Sequence, residues 1–173
     1  LEDDGLLDQW NAANSGSFFQ TQGSLGFGIN TLRYHRATGP VAGSSALLEG
    51  TGSWQPTEDE LFGRVRLDAA HYFQIYERIN FFVRGGAGRS LGGRRARQYF
   101  LSSFDTLRAV DYFDTDFLLG RNFLYSTAEL QFPLNWLVRV PFLDLEGIVG
   151  TDFGGVGDSV EEAWDKRVLN LAT

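Results

Sequence analysis

The sequence has no cysteine, which excludes disulfide staples, thiolate metal sites and a cysteine nucleophile together. Histidine is almost as scarce. With only His35 and His71, neither a histidine-rich metal centre nor a conventional catalytic triad has the residues it needs. Lysine occurs once, at Lys166, while the other basic residues are all arginine, a composition bias with little functional content. The basic residues are outnumbered, 15 Lys and Arg against 22 Asp and Glu, for a net charge of -7. That balance argues against nucleic acid as a partner, because neutralising phosphate takes a basic face. No apolar run approaches the ~18 to 20 residues of a spanning helix, so helical membrane spans are excluded. No charged-then-apolar leader opens the chain, so the sequence is expected to be mature or to begin in mid-protein.

What is present points to strands. The 173 residues suit one domain or a piece of one. Hydrophobic residues at 43% and charged residues at 21% are those of a folded protein, and 21 Gly and 14% aromatics against 4 Pro fit many short strands. Residues 1–23 read as an irregular entry segment, with Asn11, Asn14, Ser15 and Gly16 among a few apolar anchors. Residues 24–37 and 43–55 are strand-length runs separated by Thr38, Gly39 and Pro40. The clearest alternation is at 61–72, where Leu61, Val65, Leu67 and Ala69 oppose Arg64, Arg66 and Asp68. Residues 79–88, 123–133 and 138–153 repeat the pattern, and a seventh run occupies 167–173.

Alternation alone fits a soluble sandwich as well as a membrane barrel. Strand length and rim chemistry separate them. Several runs reach the ~9 to 11 residues of a tilted transmembrane strand, longer than the ~5 to 6 common in soluble sheets. Aromatics gather where the runs end, with Tyr72, Phe73 and Tyr76 at one turn and Trp136 and Phe142 at the next, as interface girdles do. The expected fold is therefore all-β, an antiparallel up-and-down transmembrane β-barrel section, with 1–173 one segment of a larger barrel. Val65, Leu67, Leu130 and Leu145 should face lipid. Arg64, Arg66, Arg84, Glu129, Gln131 and Glu146 should line a wet, concave interior. Plain turns near 38–42, 76–79 and 134–138 should lie at one end, with loops at 57–60, 91–122 and 154–166 at the other.

Three motifs, in order, then carry a resemblance. They are Leu107-Arg108-Ala109-Val110 in the long 91–122 segment, Ser126 to Leu134 with Glu129 and the pair Phe132-Pro133, and Gly150-Thr151-Asp152-Phe153-Gly154. Over about residues 60–170 the chain resembles the bacterial surface-antigen barrel, the membrane domain of BamA-like assembly factors and two-partner secretion transporters. The resemblance implies an outer-membrane location, a barrel of sixteen strands, and a role in inserting or translocating polypeptides. It implies no cofactor, with membrane lipid and a polypeptide substrate or other envelope subunits as partners. It also implies a lumen-directed loop whose tip, at Leu107 and Arg108, brings the arginine to Asp152 or Glu129, with Phe132, Pro133 and Gly154 as motif positions. The chain departs from the pattern at Ala109, Val110 and Gly150, where the family has Gly, an aromatic and Phe. Those departures and the incomplete strand set support a second reading, a structural or scaffolding subunit of an envelope complex. A soluble β-sandwich binding module is a third.

Other chemistry is weaker. Gly85 to Arg89 resembles a phosphate-cradling loop, but no helix pattern follows it. Arg94, Arg95 and Arg97 suit a solvated loop, with lipid phosphate as the alternative. Asp111, Asp114 and Asp116 lack the Gly and closing Glu of a calcium loop. Asp144 and Glu146 share a strand face without a cleft. The expectation is a protein that is not an enzyme, with no small-molecule substrate inferred.

Overall fold

Alternating side chains commit a chain to strands because successive Cβ atoms point to opposite faces, so one apolar series can be separated from one polar series. A computed structural model describes residues 20–35, 39–56, 59–92, 99–100, 119–134 and 145–172. Its strands are β1 (Thr21–Asn30), β2 (Arg33–His35), β3 (Gly39–Gln55), β4 (Glu60–Tyr76) and β5 (Ile79–Gly92). They continue with β6 (Tyr99–Phe100), β7 (Leu119–Gly120), β8 (Asn122–Pro133), β9 (Glu146–Gly157) and β10 (Val168–Ala172). A helix, α1 (Val160–Asp165), joins the last two.

The main sheet runs in the order β1-β3-β4-β5-β8-β9-β10, each neighbour antiparallel, with β2 paired to β3. This is an up-and-down meander. Its described strands leave β1 and β10 at the two edges rather than closing on each other. β3 and β4 each hold 17 residues, which at ~3.3 Å per residue exceeds what a hydrocarbon layer requires. The connections sort by end as expected: those after β1, β4 and β8 lie at one end, and those after β3, β5 and β9 at the other.

The limits differ from the expected ones in places. β4 runs on to Tyr76, past the point where alternation stops, with a register shift between Gln74 and Tyr76. β9 begins at Glu146 and extends through the glycine-rich Gly154 to Gly157, where a loop over 154–166 is expected from composition; the remainder of that stretch holds α1. Gly85 to Arg89 lies wholly within β5, so it forms no phosphate cradle. The loop expected over 91–122 is bracketed by the end of β5 and by β7, and β6 pairs with β7. The entry residues 1–19, the Arg94 to Arg97 cluster, Asp111 to Asp116, Trp136, Phe142 and Asp144 lie outside the described residues.

Register sets the two faces. One carries Glu49, Glu60, Arg64, Arg66, Asp68, Arg84, Glu129, Glu146 and Asp152 on the main strands. On the other, the only Asp, Glu, Arg, Lys or His side chains of those strands are Arg89 and His71. The polar face is the sheltered one, and Phe123, Tyr125 and Val156 form the buried cluster there with Tyr99. The apolar face is open, with Phe27 67% and Leu67 47% exposed. Val65, Leu67 and Leu130 lie on it as expected, while Leu145 precedes β9 and is half-buried.

Candidate functional site

The polar face is built from adjacent strands that each contribute every second residue. On β4 these include Arg64, Arg66 and Asp68; opposite them on β5 stand Ser90, Gly88 and Gly86. Opposite those glycines on β8 stand Phe123 and Tyr125. Two side-chain-free positions thus face two rings. A Cβ on Gly86 would collide with the Tyr125 ring and lie 2.9 Å from Asp68 Oδ1, and one on Gly88 would collide with Phe123. The rings therefore lie across β5, and Tyr125 reaches β4, where its hydroxyl donates to Asp68 Oδ1.

Asp68 is the centre of charge. The Arg66 guanidinium donates to it through Nε and through Nη2, the latter at 3.2 Å, and Arg84 Nη2 stands 3.7 Å from its Oδ1. The arginines also cover the rings: Arg64 lies 5.1 Å from the Tyr99 centroid, Arg66 5.9 Å from Phe123 and Arg84 5.2 Å from Tyr125. Such contacts hold a guanidinium in a fixed orientation while its edge stays available to carboxylates. Tyr99, the first described residue beyond β5, packs on Phe123 at 4.4 Å and donates to the Val65 carbonyl at 2.9 Å. Tyr99 itself is thereby laid against the polar face.

The resemblance-derived residues occupy the adjoining part of that face. Glu129 is 7% and Asp152 1% exposed, on neighbouring strands in the β8–β9 ladder, where Glu129 faces Gly150 and Thr127 faces Asp152. Gln131 Nε2 donates to Glu129 Oε2 at 3.1 Å. A Cβ on Gly150 would lie 3.0 Å from Glu129 Cγ and 2.6 Å from the Ala128 carbonyl oxygen, so the phenylalanine implied there would displace the glutamate. Phe132 lies on the apolar face over Gly147, while Pro133 is buried at the strand end. Gly154 is buried between Tyr125 and Val168. Leu107, Arg108, Ala109 and Val110 lie outside the described residues.

Beside Asp68 an open groove of about 670 Å³ continues along the face toward β1, lined by Asn30, Ser45, Leu47, Tyr72, Phe82 and Arg84 among others. Its walls mix polar and apolar groups and suit a water-filled passage better than a shaped small-molecule pocket. The nearest approach to a nucleophile and base lies on the opposite face, where Ser44 Oγ and His71 Nδ1 are 2.6 Å apart. No carboxylate shares that face along the main strands, so the pair satisfies its own polarity. Among the described residues no cluster of His, Cys, Asp or Glu could hold a metal.

The Asp68–Tyr125–Arg84 group is the part sequence reading misses. Its signal was a pattern of two small residues, Gly86 and Gly88, that matches in spacing the two rings Phe123 and Tyr125. No protein-family model, curated protein or solved structure matches this chain.

Proposed function

We propose that the chain is a section of an outer-membrane β-barrel of the surface-antigen kind, acting in the insertion or translocation of polypeptides across that membrane. The observation that supports the membrane part is the separation of charge between faces of one sheet. Long strands present an apolar face that, among the described residues, only the short helix α1 overlies, at its β9 end, and a polar face that is sheltered. Soluble monomers rarely leave so large an apolar patch in water, whereas a barrel wall places that patch against hydrocarbon and the charges around a wet lumen. The transport part rests on the ordered motifs, and on the buried carboxylates Glu129 and Asp152 lying on the face where the loop-tip arginine is called for. In this reading no cofactor is required; lipid and extended polypeptide are the partners.

A cysteine-free chain makes the test direct. The chain is refolded into phosphatidylcholine vesicles, and Arg108→Cys is combined with Asp152→Cys under mild oxidation. Insertion together with an intramolecular cross-link is the expected result. Recovery as a soluble monomer without lipid refutes the membrane reading. Insertion without the cross-link removes the lumen-directed loop, and favours the scaffolding role to which the glutamate-filled Gly150 position already points.

A further inference from the structure

The short helix α1 does not extend from the end of the sheet; it lies on the apolar face. A Cβ on Gly155 would collide with the Ala163 carbonyl, and one on Gly157 would lie 2.6 Å from the Ala163 nitrogen. Both glycines belong to the alternate series of β9 that faces away from the charges. They form a floor without side chains, and Ala163 is buried against it. Trp164 then meets Phe153, another residue of the apolar face, edge-on at 5.6 Å.

The helix has two further arcs. At ~100° per residue, Val160 and Trp164 fall beside the buried Ala163, and they are 62% and 52% exposed. Glu161 and Asp165 occupy the opposite arc, while Glu162, whose Cβ lies over Gly157 at the edge of the contact, is paired to Lys166 at 2.7 Å. Arg167 lies 5.0 Å from the Trp164 ring centroid and donates to its carbonyl at 2.8 Å. An apolar arc continuous with the lipid-facing wall, an acidic arc turned from it and a tryptophan capped by arginine match the polarity gradient of a bilayer interface.

We infer that α1 is an interfacial anchor. Val160 and Trp164 enter the headgroup layer at the end of the sheet where β9 meets β10, the acidic arc faces water, and the sheet is thereby held at a fixed depth. The inference rests on the membrane reading above and adds the lipid headgroup layer as the occupant of this surface.

Single nitroxide labels in the otherwise native chain test it. Val65→Cys, Val160→Cys and Glu161→Cys are each labelled, refolded into dilauroylphosphatidylcholine vesicles, and compared for collision with oxygen, which concentrates in hydrocarbon, and with a water-soluble nickel chelate. The expected order of depth is Val65 in hydrocarbon, Val160 at headgroup level and Glu161 in water. If Val65 is deep while Val160 is as open to the chelate as Glu161, the anchor is wrong and the membrane reading stands. If Val160 is shielded from both reagents, protein covers α1 and the anchor is again wrong. If Val65 itself lies in water, the membrane reading fails and the anchor with it.

Discussion

At the scale of single residues, the polar face depends on what is left out. Gly86 has no side chain, so Tyr125 can cross it to Asp68. Gly86→Ala should therefore destabilise the fold by about 1 to 3 kcal/mol, the usual cost of overpacking. Gly52, with nothing within 4 Å of its missing Cβ, should tolerate alanine or gain up to ~1 kcal/mol from reduced chain freedom. Urea midpoints in vesicles separate the two outcomes. Tyr125→Phe and Asp68→Ala should be non-additive, with a coupling of ~0.5 to 3 kcal/mol in a double-mutant cycle, because the first removes the donor and the second the acceptor of the same hydrogen bond. Additive losses would mean that the tyrosine hydroxyl and the carboxylate act independently. The residue types on this face were legible in the sequence, but their meeting was not: the connection between β5 and β8 is long, and nothing local in it sets which β8 residue faces Gly86.

Among the elements, α1 gives the clearest pH dependence. Ser159 caps it by accepting from the Glu162 N–H at 3.0 Å, and the Glu162 carboxylate accepts from the Asp158 N–H at 2.9 Å, an arrangement close to a capping box. The Lys166 ammonium, together with that backbone bond, holds the Glu162 carboxyl below its ordinary value. A carboxyl lowered in this way stabilises the folded form above its unfolded value, and the contribution is lost as the pH falls through the lowered one. The protection factors for amide exchange at Ala163 and Lys166, taken relative to the intrinsic rate at each pH, should accordingly fall on acidification, and Glu162→Gln should flatten that dependence. The signal for this helix was present in Ser159-Val160-Glu161-Glu162, a Ser followed three residues later by Glu. Six residues are too few to display a helical period, which is why period alone reads this stretch as loop. β8, by contrast, was readable almost to its ends, and β4 as far as Tyr72, because over those residues their apolar and polar series do not exchange.

For the whole molecule, the face a residue occupies should decide its tolerance of charge. Leu67→Arg on the open apolar face should cost on the order of 2 to 4 kcal/mol of folding free energy in vesicles if the position lies near the bilayer midplane. Ser53→Arg, on the polar face of neighbouring β3, should change stability by under ~0.5 kcal/mol. Equal costs at the two positions would contradict a one-sided wall. The alternating order of the strands carries a consequence of parity. Seven strands in the main path, each antiparallel to its neighbours, leave β1 and β10 pointing the same way. These two edges cannot meet each other without a parallel seam. A ring in which every seam is antiparallel therefore requires an odd number of strands beyond the seven, whichever chain supplies them.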